Sequence, residues 1–248
     1  MKTTGNTIFI TGGTSGLGLG LALRWHALGN HVIIGGRRKE LLDQIATQHP
    51  GIDTVVLDVD DPASIQSAYD EVTTRYPDLN ALLTMSGIMR AENLLDPAHV
   101  ETAEAIITTN LLGTIRTIAT FTPFLVTKPD ATILTVSSGL AFTPLALTPA
   151  YNATKAAIHS YSQSLRLQLA GTGVQVIELI PPAVQTTLMP GQETSEHAMP
   201  LDEYLTETMD LLAAQPDAEE ITVQRVGFLR DAERENRLPE AIAALNSH

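Results

Sequence analysis

A single α/β domain, built on a doubly wound parallel sheet with helices on both faces, is the fold this sequence predicts. Short runs rich in Val and Ile recur along the chain without the polar alternation of a half-exposed sheet, so the strands are expected to be buried on both faces. Each run is followed by a longer amphipathic stretch, a repeat that right-handed crossovers close into a parallel sheet. The 248 residues, 44% hydrophobic and 17% charged, supply apolar material for a sizeable core.

The first run, NTIFIT (6–11), reads as a strand and is followed by a helix over 16–28. HVIIGG (31–36) predicts the second strand, and RKELLDQIATQH (38–49) a helix with Leu41, Leu42 and Ile45 on its apolar side. DTVVLDV (53–59) predicts the third strand, with a helix from about Pro62 to Arg75. LNALLTMSG (79–87) predicts the fourth, before a long helical region within 98–126. ATILTVSS (131–138), a helix after Tyr151 and VQVIELI (174–180) continue the alternation. Segment 181–218 then changes character, with Pro181, Pro182, Pro190, Pro200 and Pro216 and a weaker period. It is expected to be an insertion over the carboxyl edge of the sheet, a substrate loop or lid around 183–218 carrying a helix such as 201–214. A last strand is expected near 219–224. No repeat or linker interrupts the first 180 residues, so 1–248 is expected to form one domain.

Composition excludes several functions. The net charge of −13 argues against a nucleic-acid surface, which needs clustered cations. The chain has no cysteine, which excludes disulfides, thiolate catalysis and Cys-ligated zinc, and its histidines show no metal-ligand spacing, so no metal is expected. The N-terminal stretch lacks a signal-peptide apolar region and no apolar run is long enough to span a bilayer. A cytoplasmic protein with no membrane partner is expected.

TGGTSGLG (11–18) falls between the first strand and the first helix. Gly12, Gly16 and Gly18 permit a tight turn and close backbone approach, and Thr14 and Ser15 add hydroxyl donors. The helix start behind them offers free N–H groups and a positive dipole end to a pyrophosphate. No GK[ST] follows, as a triphosphate loop requires, so a dinucleotide is expected. A carboxylate at the end of the second strand would hold a ribose 2′-hydroxyl, but IIGGRR (33–38) ends in arginines instead. A guanidinium grips a 2′-phosphate as a fork, so the expected cofactor is NADP(H), held by Arg37 first and Arg38 second.

In TPAYNATKAAIHSYSQSLRLQL (148–169), Tyr151 and Lys155 lie on one helical face. A phenol has a pKa of about 10, and a nearby ammonium stabilises its phenolate form. These motifs together resemble the short-chain dehydrogenase/reductase family, single-domain branch, over roughly residues 5–188. TGGTSGLG matches the family's TGxxxGxG, which adds Leu17, and LDV (57–59) matches its adenine-side Asp-Val at Asp58 and Val59. TNLLGT (109–114) carries its active-site Asn as Asn110, VSS (136–138) its Ser as Ser138, and YNATK (151–155) its YxxxK. The IPPAVQTTL stretch and the tail VGFLRDAERENRLPEAIAALN resemble the DltE-like oxidoreductase subgroup.

The resemblance implies a Rossmann fold and an NADPH-dependent carbonyl reductase working reversibly as an alcohol dehydrogenase. In those roles Tyr151 is the acid/base, and Lys155 lowers its pKa while holding the nicotinamide ribose. Ser138 hydrogen-bonds the substrate oxygen, and Asn110 supports a water that reprotonates Tyr151. Ser86, Gly87, Val184 and Thr186 match further cofactor-contacting positions. Met85 stands where the family has Asn, which is expected to loosen the adenosine-side wall, and Pro181-Pro182 replaces a Pro-Gly turn, which is expected to stiffen the loop. Ile88, Met89, Leu140, Phe142, Leu145, Leu147, Leu188 and Met189 are expected around an apolar small-molecule ketone or aldehyde. Arg90 reads as a solvated loop residue, and His159 and His197 as surface or packing residues. A homodimer or homotetramer is implied. A non-catalytic NADP(H) sensor or scaffold, or an epimerase or dehydratase of the same family, are the alternatives.

Overall fold

The structure, a computed structural model, describes residues 1–247. The strands are β1 (Thr7–Thr11), β2 (His31–Gly36), β3 (Ile52–Val56), β4 (Ala81–Thr84), β5 (Thr132–Val136), β6 (Gln175–Leu179) and β7 (Glu220–Ile221). The helices are α1 (Gly16–Ala27), α2 (Lys39–Gln48), α3 (Pro62–Arg75), α4 (His99–Ile106), α5 (Thr114–Leu125), α6 (Pro149–Leu169), α7 (Leu201–Ala214), α8 (Gly227–Arg230) and α9 (Leu238–Leu245). The strands pair in parallel in the order β3-β2-β1-β4-β5-β6-β7. The chain therefore winds one way from β1 and the other way from β4, forming a single doubly wound, Rossmann-type domain. The topological switch falls between β1 and β4, where crevices open in such sheets.

Side chains alternate across the sheet with the period of two that strands impose. Ile8, Ile10, Ile34 and Leu83 face a core closed by Leu21 and Trp25 of α1, Leu42 and Ile45 of α2, and Tyr204, Leu205 and Leu212 of α7. Phe9, Ile33, Leu82, Ile133 and Val176 face the opposite core, closed by Ile65 and Val72 of α3, Phe121 and Leu125 of α5, and Leu165 and Leu169 of α6. No helix among the described residues is long and apolar enough to cross a membrane.

The differences from expectation lie at element ends. β3 stops at Val56 and β4 at Thr84, so Asp58, Val59, Ser86 and Gly87 lie in turns beyond the paired edge. α6 begins at Pro149, whose fixed φ suits a first helical position, so Tyr151 lies inside its first turn instead of ahead of the helix. Between α4 and α5 the backbone winds as a π-helix over Ile107–Gly113, a form frequent at functional sites. Segment 183–200 is mostly irregular, tied by a bridge between Val184 and Met199, and it leads into α7. The tail forms α8 and α9, which carry no strong amphipathic run of usual helix length.

Candidate active site

A crevice of about 670 Å³ opens over the carboxyl ends of β1, β4 and β5. Every residue expected to bind cofactor or catalyse lines it, except Asn110. At one end, Gly12 has φ of +69°, and a Cβ there would stand 2.8 Å from Ser86 Cα and N. A Cβ on Gly18 would collide with the Gly12 carbonyl. Gly16, Leu17, Thr14 and Ser15 complete this wall. Ser15 makes no side-chain cap and the first turn of α1 holds no acid, so its N–H groups stay available to an anion. Arg37 and Arg38, at the end of β2, line the same end. Arg37 is 60% exposed and lies 3.9 Å from Asp60. The glycine cradle and the free helix start fit a dinucleotide, and the two arginines stand at the same end.

The buried Thr11 hydroxyl accepts from Met85 N–H at 3.2 Å and Ser86 N–H at 3.4 Å, so it braces the turn that holds Ser86 and Gly87. Asp58 accepts from Asp60 N–H at 3.1 Å, which stiffens the turn carrying Val59. Val184 and Thr186 border the opposite wall, where Gln192 Nε2 donates to the Val184 carbonyl at 2.6 Å.

At the other end Ser138, Tyr151 and Lys155 converge. Ser138 leaves β5 in extended conformation, and its hydroxyl accepts from Leu140 N–H at 3.1 Å while also bonding the Tyr151 phenol. Tyr151 and Lys155 are 6% and 8% exposed. Burial pushes the Tyr151 phenol up to about 12, an effect the Ser138 hydrogen bond partly offsets. Burial pulls the Lys155 ammonium down to about 8, and the Glu178 carboxylate partly restores it. The resemblance implied a phenol acidified by Lys155. Here burial raises the phenol pKa instead, while Nζ donates to the Val136 carbonyl at 2.8 Å and lies 5.5 Å from the centroid of the Tyr151 ring.

Asn110 sits outside the cavity, 1% exposed. Its Oδ1 accepts from Ile88 N–H and its Nδ2 donates to the Ile88 carbonyl, both at 2.8 Å. In this structure it clamps the loop after β4. The π-helical turn carries it there.

Ile88, Met89 and Leu188 line the crevice as expected, and Arg90, exposed as a loop residue, borders it as well. Leu140, Leu145 and Met189 pack behind it around Tyr151 and Ile106. Phe142 and Leu147 do not reach it. Phe142 lies between His159 and Arg230, and Leu147 is 49% exposed. His159 is neither a surface nor a simple packing residue, since its Nδ1 lies 2.9 Å from the fully buried Glu178. Sequence reasoning also missed Glu92, whose Oε1 accepts Ala150 N–H at 2.8 Å and thereby caps α6 one residue before Tyr151. Glu178 carried a readable signal, a lone acid inside the apolar strand QVIEL. Glu92, in a polar loop, carried none.

The pattern of the short chain dehydrogenase family matches residues 6–197. The oxidoreductase DltE of Bacillus subtilis (strain 168) is 41% identical over 241 residues, covering 94% of each chain. A short chain dehydrogenase from Burkholderia cenocepacia J2315, solved in complex with NADP, superposes with a TM-score of 0.82 at 23% identity over 98% of each chain. The 3-ketoacyl-(acyl-carrier-protein) reductase of Brucella melitensis, complexed with NADH, superposes with a TM-score of 0.78 at 23% identity, covering 91% of this chain and 100% of that one. From its motifs, its fold and its likeness over nearly the whole chain to an oxidoreductase, this protein belongs to the short chain dehydrogenase family.

Proposed function

We propose that the protein is an NADP(H)-dependent carbonyl reductase, reversible as an alcohol dehydrogenase, acting on mainly apolar small ketones or aldehydes. The observation that carries this reading is the convergence of Ser138, Tyr151 and Lys155 in the crevice whose far end is the glycine cradle. Cofactor choice rests on Arg37 and Arg38, because solved members of this fold include an NADP complex and an NADH complex. Gly12 through Gly18 would hold the pyrophosphate, Arg37 and Arg38 the 2′-phosphate, and Val184 and Thr186 the nicotinamide side. The bound nicotinamide supplies or accepts the hydride.

The chain's own residues manage the proton and the charge. Ser138 donates to the carbonyl oxygen, polarising it toward attack. Tyr151 gives its phenolic proton to that oxygen as negative charge develops there. A phenol pushed up to about 12 by burial is a stable proton store, and the Lys155 amine, 5.5 Å from the ring centroid, is placed to favour the phenolate left behind when it is charged. Asn110 keeps the Ile88 edge in register beside them. Segment 183–218 serves as the lid over the nicotinamide end, and the active form is a homodimer or homotetramer.

Oxidation of NADPH and of NADH against a varied panel of ketones and aldehydes tests the reading. NADPH-linked reduction of apolar carbonyls is expected, with a clear preference over NADH. Tight NADPH binding with no carbonyl reduced would refute it.

A further inference from the structure

Behind the crevice, α6 meets the sheet along a polar seam. Lys155, His159 and Ser162 recur at helical spacing, one face of α6. Ser162 shares a hydrogen bond with Thr135 at 2.7 Å, His159 reaches Glu178 at 2.9 Å, and Lys155 reaches the Val136 carbonyl at 2.8 Å. Val176 faces the α6 side of the sheet, so strand alternation turns Glu178 to that side as well. The register pairs Thr135 with Glu178 and Val136 with Leu179. The carboxylate thus lies on the strand next to the carbonyl that holds Lys155.

Glu178 is fully buried. Its carboxylate accepts from Ser137 Oγ and meets His159 Nδ1, and Ser137 is the residue just before Ser138. Glu220 on β7 lies beside Glu178 and His159, with Arg230 of α8 bonded to it. One ligand atom each from His159, Glu178 and Glu220 lie within 4.8 Å of one another, which resembles a metal cluster. Arg230 donates to both Glu220 oxygens, at 2.8 Å and 3.0 Å, and so occupies and neutralises that acid. Glu178 is the acid on the Lys155 side of this cluster, and its proximity partly offsets the desolvation of the Lys155 ammonium. An ammonium has three donors, and Lys155 spends one on Val136. A buried ammonium without an anion nearby loses its proton.

We infer that Glu178 is a positioning residue of this site: it keeps the Lys155 amine charged and, through Ser137 and His159, fixes the strand end that presents Ser138. The inference rests on the reading of Lys155 as the partner of Tyr151. The Lys155 titration is read on the cofactor-free protein, so its failure is distinguishable from a failure of the reductase assignment.

The test is a side-chain titration by nuclear magnetic resonance on the cofactor-free protein carrying carbon-13 in its lysine and glutamate side chains. Lys2, Lys39 and Lys128 keep contact with solvent, so the Lys155 signal stands apart. Glu178→Gln keeps the shape and removes the charge, and Glu178→Asp keeps the charge and alters the shape. The Lys155 midpoint is expected to fall by about one pH unit or more in Glu178→Gln and to stay near the native value in Glu178→Asp. The alkaline limb of the pH-rate profile is expected to move down with it in Glu178→Gln only. An unchanged midpoint in Glu178→Gln, or an equal fall in both variants, overturns the inference and leaves a purely structural seam. Should Glu178→Gln not fold, the native protein still decides. Its Glu178 carboxyl carbon must report a carboxylate at neutral pH, and a protonated Glu178 there overturns the inference.

Discussion

Asn110 offers the sharpest link between the local winding of one helix and the shape of the crevice. Its amide satisfies both backbone groups of Ile88, at 2.8 Å each, from a fully buried position. Asn110→Leu keeps most of the side-chain volume and removes both partners. A buried polar group left unpaired costs about 1–3 kcal/mol, so two would cost about 2–6 kcal/mol. Both bonds are part-buried rather than fully enclosed, which narrows the expectation to about 2–4 kcal/mol. Urea unfolding reads this directly as a lower midpoint with an unchanged slope. The loop edge at Ile88 to Arg90 should also loosen, raising the KM for the carbonyl substrate. A destabilisation below about 1 kcal/mol would refute the clamp, because neither Ile88 group could then depend on Asn110.

Arg37→Ser is expected to weaken NADPH binding about tenfold, the worth of one charge-assisted contact at a site 60% exposed. NADH binding should stay within a factor of about two, and fluorescence titration of both reads the difference. Lys155→Met gives a signed pH effect. The native lysine titrates near 8 folded, against 10.5 in the unfolded chain. Between those values the unfolded chain binds the extra proton, so lysine's contribution to stability rises with pH across that window. Below pH 8 the buried charge is a constant cost, so the native protein should gain on Lys155→Met by up to about 1.4 kcal/mol per unit as pH rises above 8. A difference that stays flat there would be contrary. Glu92→Ala removes the acceptor of Ala150 N–H and should cost about 1 kcal/mol in thermal unfolding, with turnover reduced because α6 carries Tyr151 in the same turn.

The fold was legible because its signals are repeated. Each buried strand reads as an apolar run, and the helices between them carry their period plainly. The glycine turn was equally plain, since Gly12 and Gly18 stand where a Cβ would strike backbone. Tyr151, Lys155 and Ser138 were found through spacing and resemblance, yet the electrical state of the phenol was not. That state depends on how deeply the ring is buried and where Nζ points, and both are set by packing between distant segments. Asn110 was placed at the site by its motif, but its two bonds to Ile88 were not legible, because a π-helical turn has no mark in TNLLGT that sets it apart from an α-helix. Phe142 and Leu147 looked like pocket lining from their position alone, and only the contacts to His159 and Arg230 show where the first one goes.

Transfer of a proton from one buried phenol to a carbonyl oxygen, next to a bound nicotinamide, is the central claim, and Tyr151→Phe measures it most directly. The variant keeps the ring and loses only the hydroxyl. Carbonyl reduction should fall by about a thousandfold, within the usual range for loss of a positioned acid. NADPH affinity measured on the same sample should stay within about threefold of the native value, a difference of under 1 kcal/mol. Reduction that persists within about tenfold of the native rate, with NADPH bound, would show that the proton comes from elsewhere.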